Sequence, residues 1–182
     1  MGEYPLATII DYKEDTMIIF GIDPGLAIVG WGVIEYKNSR FRTLAHGAIQ
    51  TPAHTPIMDR LKQIHDELSA LLRIYHPDAV AVEELFFNTN ITTGISVAEA
   101  RGVILLAIAE AGCKFYEYTP LQVKQSVVGY GKAEKAQVML MVKTLLNLHN
   151  APKLDDTCDA LAIAICHAHT GGSRLKDFYN LK

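Results

Sequence analysis

The stretch Met17-Ile18-Ile19-Phe20-Gly21-Ile22-Asp23-Pro24-Gly25 decides how the rest of the chain is read. Its apolar run has the composition of a buried strand, and the Asp-Pro-Gly that follows is a turn signal. A carboxylate at the end of a buried strand loses hydration, so it needs a neutralising partner. Three further acids occupy comparable places. Glu83 ends Asp78-Ala79-Val80-Ala81-Val82, and Asp156 and Asp159 stand at the head of the apolar helix Ala160-Leu161-Ala162-Ile163-Ala164-Ile165. Few cations lie near them in sequence. Hard oxygen donors of this kind suit magnesium or manganese, and paired ions held by carboxylates are suited to cutting phosphodiesters. The residues alone therefore point to a metal-dependent nuclease.

Working outward from that strand, Met17–Ile22, Ile28–Tyr36 and Phe41–Gln50 are rich in Ile, Val and aromatics and are separated by turn signals, which predicts an antiparallel meander. Ile57, Leu61, Ile64, Leu68 and Leu71 recur at helical spacing and predict an amphipathic helix over Pro56–Tyr75, leading into a short strand, Ala79–Val82. A helix over Thr92–Ala111 and a strand over Lys114–Tyr118 follow. Thr119-Pro120-Leu121-Gln122 has the form of a capping box with proline at the first helical position, so a helix should run to Val128. Gly129-Tyr130-Gly131 interrupts the chain before a helix over Ala133–Leu148, and a last long helix should run from Asp155 to Gly171-Gly172. Strands first, then alternating helices and strands, predict an α/β domain with a mixed five-stranded sheet flanked by helices.

At 182 residues and 49% hydrophobic content, the chain suffices for one well-buried core. The expected division is an N-terminal extension over 1–16, mobile in character, one domain over 17–172, and a tail over 173–182. No apolar run approaches the ~20 residues of a membrane span, and no charged-then-apolar leader is evident, so a cytoplasmic protein is expected. Cys113, Cys158 and Cys166 lack a paired spacing, which favours buried free thiols over disulfides or a zinc site. The formal charge of −3 argues mildly against a nucleic-acid partner, but leaving out the four acids as metal ligands changes it to +1. From Pro120 to Leu146, Lys124, Lys132, Lys135 and Lys143 face only Glu134, a local charge of +3 that makes this segment the phosphate-contact candidate.

Ordinary structural explanations compete with each of these assignments. Asp155 reads best as a helix N-cap. Asp23-Pro24-Gly25 alone is as well explained by a turn, Glu83 and Glu84 by strand-end acids, and Phe86-Phe87 by core packing. Asp156 and Asp159 resist such an account. They are three apart, on the face they share with Ile163 and with Cys166 or His167, which should pack on the sheet. His167 and His169 are taken as helix-end residues interacting with the dipole, and Lys143 as a solvated charge.

The pattern from Met17 to about Thr170 closely resembles the RuvC family of Holliday junction resolvases. The resemblance rests on six ordered blocks: Gly21-Ile22-Asp23-Pro24-Gly25, Val82-Glu83-Glu84-Leu85-Phe86, Ala100-Arg101-Gly102, Gln122-Val123-Lys124-Gln125, Ala133-Glu134-Lys135 and Asp156-Thr157-Cys158-Asp159-Ala160-Leu161-Ala162. It implies an RNase H-like fold, a homodimer, and symmetric nicking of two opposing strands at a four-way DNA junction, with branch-migration proteins (RuvA and RuvB) as partners. It further implies that Asp23, Glu83, Asp156 and Asp159 bind two Mg²⁺ ions, or Mn²⁺ in their place. Lys124 and Lys135 match catalytic basic positions near the scissile phosphate, and Phe86 matches an aromatic that stacks on a junction base. Lys132 departs from a loop position that can carry a small polar residue, and would strengthen DNA contact.

Together, the carboxylates and the resemblance suggest hydrolysis in which one ion activates water and the other supports the departing 3′ oxygen, leaving 5′-phosphate and 3′-hydroxyl ends. Two other classes share features of this sequence. Actin-like ATPases and sugar kinases also use a strand-end Asp and a glycine turn, but ordinarily need two related lobes. A non-catalytic junction-binding module would have little use for the acidic quartet. The fold class alone does not choose between junctions, RNA–DNA hybrids and other nucleic acids.

Overall fold

The computed structural model describes residues 16–85, 91–148 and 155–171. The expected extension before residue 16 and the tail over 173–182 lie outside the described residues, as does Phe86. Five strands, β1 (Met17–Asp23), β2 (Ile28–Lys37), β3 (Arg40–Gln50), β4 (Ala79–Glu83) and β5 (Phe115–Tyr118), form one sheet in the order β3-β2-β1-β4-β5. The first three make the expected antiparallel meander, while β4 joins β1 and β5 joins β4 in parallel. The helices are α1 (Ile57–Tyr75), α2 (Ile91–Glu110), α3 (Pro120–Val128), α4 (Lys135–Leu145) and α5 (Asp155–Gly171).

Side chains alternate across β1, and each set enters a different core. Phe20 and Ile22 join Val33, Val80 and Val82 beneath α1 and α2, where Ile64, Leu68 and Leu72 form the buried stripe of α1. Ile19 joins Ile34 and Ala81 on the opposite face, beneath α5. Arg101 of α2 forms an ion pair with Glu117, which ties that helix to the edge strand β5. No described helix is long and apolar enough to cross a membrane.

α5 is buried on nearly every side from Thr157 to Ala168, because the sheet covers one face and α3 and α4 pack against it from elsewhere. A helix enclosed in this way must be apolar all round, which explains the run Ala160–Ile165. Cys158 and Cys166 are buried within it, as expected, whereas Cys113 is only partly buried.

The approach of α5 to the sheet is unusually close. A Cβ at Gly21 would stand 2.1 Å from the Ala160 carbonyl oxygen, and one at Gly30 would stand 2.1 Å from that of Asp156. At Gly32 it would meet Leu161 Cδ2 at 2.5 Å. Gly21 pairs with Gly32 across β1 and β2, and Gly30 pairs with Asp23. Together they form a patch without side chains on which the helix backbone rests.

Most boundaries agree with the sequence to within two residues, the ordinary uncertainty of helix ends. Thr119 and Gln122 form the expected capping box at α3. α4 differs more, running Lys135–Leu145 instead of Ala133–Leu148. Glu134 and Gln137 form a second capping box that fixes its start, and Asn147 at φ 50° lies beyond its end. Of the small residues in α2, Ala100 and Ala107 are buried in the α1–α2 core.

Replacing Gly21 by Ala should force α5 away from β1 and destabilise the protein by about 1–3 kcal/mol, the usual range for overpacking. Denaturant unfolding measures this directly. A variant as stable as the parent would show that α5 has room the geometry denies it.

Candidate active site

Asp23 is the last residue of β1, and Glu83 is the last residue of the adjacent parallel strand β4. The register pairs Ile22 with Val82, one step before the two acids, so their backbones end side by side. Neighbouring strands lie about 4.8 Å apart. By strand alternation Asp23 shares its face with Gly21 and Ile19, and Glu83 with Ala81, which is the face covered by α5.

The start of α5 supplies the other acids. Asp155 and Asp156 lie in its first turn and Asp159 follows on the next, and the Asp156 backbone rests on Gly30, the cross-strand partner of Asp23. The glycine patch thus sets how near the helix acids come to the strand acids.

Electrostatics registers this convergence. Burial pushes the Asp23 carboxyl up to about 8, and the charges of Glu83, Asp159 and Asp156 push in the same direction, opposed by Lys135. Burial also raises Glu83, with Asp159 adding to it while Lys135 and Lys124 work against it. Lys135 Nζ lies 3.0 Å from Asp159 Oδ2 and 3.6 Å from Asp155 Oδ2. Burial disfavours the charge on Lys135, but the hydrogen bond it donates to Asp159 and the nearby acids outweigh it and raise its pKa. As the side chains stand, no group of three His, Cys, Asp or Glu among the described residues is drawn closely enough together to hold a metal ion. The backbone gathers the acids, and Lys135 currently engages one of them.

Of the sequence-predicted residues, Asp23, Glu83, Asp156, Asp159, Lys124 and Lys135 fall in one electrostatically coupled group. Lys132 is exposed in the loop before α4 and has no described contact with the carboxylates. Phe86 lies outside the described residues.

Three features were missed or misread from sequence. Asp155, expected only as a helix cap, stands at the start of α5 with Lys135 Nζ 3.6 Å from its carboxylate. His167 is fully buried, and its Nδ1 is 2.7 Å from the Tyr118 hydroxyl, so side-chain packing against β5, not the helix dipole, accounts for its position. His169 instead approaches the Ser126 carbonyl oxygen, with Nδ1 at 3.1 Å. The glycine patch went unnoticed although Gly21, Gly30 and Gly32 stand inside strand-like runs, where glycine signals close backbone approach.

The raised pKa of Asp23 predicts a pH effect in the metal-free protein. Between its ordinary value near 3.8 and about 8, folded Asp23 holds a proton that the unfolded chain releases. Stability should therefore fall as pH rises through that window. In EDTA at pH 8, Asp23→Asn should melt above the parent, by ~2–4 °C for each kcal/mol relieved, and the difference should shrink toward pH 5. Parallel melting curves across this range would contradict the burial of Asp23.

Residues 19–167 match the family model described as "Crossover junction endodeoxyribonuclease RuvC". A relative of that name from Alkaliphilus oremlandii is 59% identical over 155 residues, covering 85% of this chain and 94% of its own. The Thermus thermophilus RuvC structure superposes with a TM-score of 0.80 at 39% identity, covering 85% of this chain and 95% of the other. T. thermophilus RuvC in complex with a Holliday junction substrate gives 0.79 at 36% identity, with the same coverage. The sheet order and flanking helices are accordingly those of the RNase H-like fold. From the blocks along the sequence to the superposed architecture, the chain belongs to the RuvC family of crossover junction endodeoxyribonucleases.

Proposed function

We propose that this chain resolves four-way DNA junctions by paired, metal-dependent nicks that leave 5′-phosphate and 3′-hydroxyl ends. The observation that carries the reading is that Asp23, Glu83, Asp156 and Asp159, drawn from three distant stretches, stand at the ends of two parallel strands and one helix, near enough for the charges of the other three to act on Asp23. The junction substrate is supported by family membership and by the T. thermophilus relative found with a Holliday junction.

The donor set fits a hard divalent cation. All four groups offer oxygen alone, and burial of Asp23 among three acids leaves negative charge that Lys135 only partly offsets. These four residues would hold magnesium, two ions per site, with manganese as a substitute. When bound, the ions supply activation of water and support for the leaving oxygen.

The chain's own residues do the remaining work. The strand-end carboxylates hold fixed positions because β1 and β4 are core strands. Lys135 is about half exposed, so its ammonium group can leave Asp159 for a phosphate without being drawn out of the core. Lys124 sits beside the site on α3 and opposes the charge of Glu83. Point charges of this kind suit neutralisation of charge that grows on a phosphate during cleavage. Lys132 and Phe86 would add contacts to the DNA.

A four-way junction has approximate two-fold symmetry, which a C2 homodimer with two sites would match. α2 favours this arrangement, because Ile95 (58% exposed) and Leu106 (52% exposed) lie with exposed Ala98, Gly102 and Ala109 along one side of the helix. RuvA and RuvB are the proposed branch-migration partners. The ATP-dependent phosphotransferase reading has no support from the family match.

Incubation with a mobile junction, a linear duplex and an RNA–DNA hybrid tests the reading, each in magnesium and in calcium. Paired symmetric nicks should appear on the junction alone and only in magnesium. Asp23→Asn should bind the junction in calcium as the parent does while cutting ~100-fold more slowly or worse, since even outer-shell changes at metal sites can cost that much. Near-parental cutting by this variant would refute the metal assignment.

A further inference from the structure

Tyr130 has no part in the site described above, yet its setting is unusual for a surface tyrosine. α3 ends at Val128, and Gly129 at φ 95° turns the chain into a short loop before α4. Gly131 presses that loop against α3, where a Cβ would come within 2.1 Å of Leu121 Cδ1. The Tyr130 hydroxyl donates to Gln137 Oε1 at 2.8 Å. The same oxygen accepts the Glu134 backbone N–H at 2.8 Å as part of the α4 capping box. A surface tyrosine commonly lays its ring on the protein and turns its hydroxyl to water. Here the hydroxyl is tied to α4 while the residue remains 46% exposed.

The surroundings suit a nucleic-acid strand. Lys132 is exposed two residues further on, and Lys135 in the first turn of α4 reaches Asp159. The one acid in this segment, Glu134, is exposed at the N-cap of α4, where its backbone carbonyl oxygen accepts the Gln137 N–H at 3.0 Å. A fixed aromatic surface interleaved with lysines, leading toward the carboxylates, is the combination that proteins use to hold nucleotides by stacking and charge together.

We propose that Tyr130 is a DNA-contacting residue whose ring packs on a nucleotide flanking the phosphate to be cut. This rests on the junction-nuclease reading. The loop thereby adds an apolar contact to the charge supplied by Lys132 and Lys135.

The test measures binding of the full-length chain to a four-way junction in calcium from 50 to 200 mM salt, using Tyr130→Ala, Tyr130→Phe and Lys132→Ala. Loss of a stacked base by alanine substitution weakens binding by roughly tenfold. Tyr130→Ala should show that loss at every salt concentration with an unchanged slope of log affinity on log salt. Tyr130→Phe should stay within about twofold of the parent, whereas Lys132→Ala should flatten the slope by ~0.9, the effect of one phosphate contact. If the alanine variant melts below the parent, Tyr130→Leu must reproduce the same salt-independent loss. The inference is overturned if Tyr130→Ala binds like the parent, if it flattens the slope by displacing the lysines, or if phenylalanine fares as badly as alanine. A parent that binds no junction would remove the functional reading and this one with it, whereas normal parental binding beside an unaffected alanine variant removes this one alone.

Discussion

The contact between α5 and the bare backbone of β1 and β2 is the constraint on which the rest depends. A helix normally rests on a sheet through a layer of side chains. At Gly21, Gly30 and Gly32 that layer is missing on the sheet, and the carbonyl groups of Ala160 and Asp156, with the Leu161 side chain over Gly32, take its place. Because Gly30 is paired with Asp23, closeness of the helix at this point is also closeness of the helix acids to the strand acid. The sequence outside the site serves the same end. α5 is apolar around nearly its whole circumference so that it can be enclosed there, and the two cores on either side of β1 keep the strand fixed.

The arrangement places like charges where an isolated protein would not want them. Asp23 bears the largest burden, since burial and three acidic neighbours all resist its ionisation. Lys135 relieves part of this through Asp159, but from a half-exposed position at the start of a different helix. A cation on a long, solvated stem is exchangeable. Under the proposed function, the same lysine would stabilise the acids at rest and meet a phosphate during cleavage, a dual use that a buried arginine would not permit as readily. Functional sites often carry such unfavourable interactions and rely on the surrounding fold to hold them.

Much of this was legible in the residues, for identifiable reasons. Strand alternation and the Asp-Pro-Gly turn located Asp23, and the change from period-two to period-3.6 patterning located the alternating elements after Gln50. The Thr119–Gln122 capping box was readable because every member of it is local in sequence. The long-range parts were harder. The parallel pairing of β4 with β1 brings Glu83 beside Asp23, but no local signal specifies that register. His167 sits near the end of its helix in sequence, yet it is buried because Tyr118 reaches it from β5. Asp155 has the residue type of a cap, and its neighbour Lys135 comes from a different helix. The in-strand glycines were visible throughout, and their meaning emerges only when the helix that covers them is known.

The central claim is that the close seating of α5 gathers four carboxylates into a cation site. It is tested most directly by anomalous diffraction from a crystal soaked in manganese. The account predicts anomalous density bounded by Asp23, Glu83, Asp156 and Asp159, with Lys135 displaced from Asp159. Manganese bound elsewhere, with these four side chains left unliganded, would contradict it.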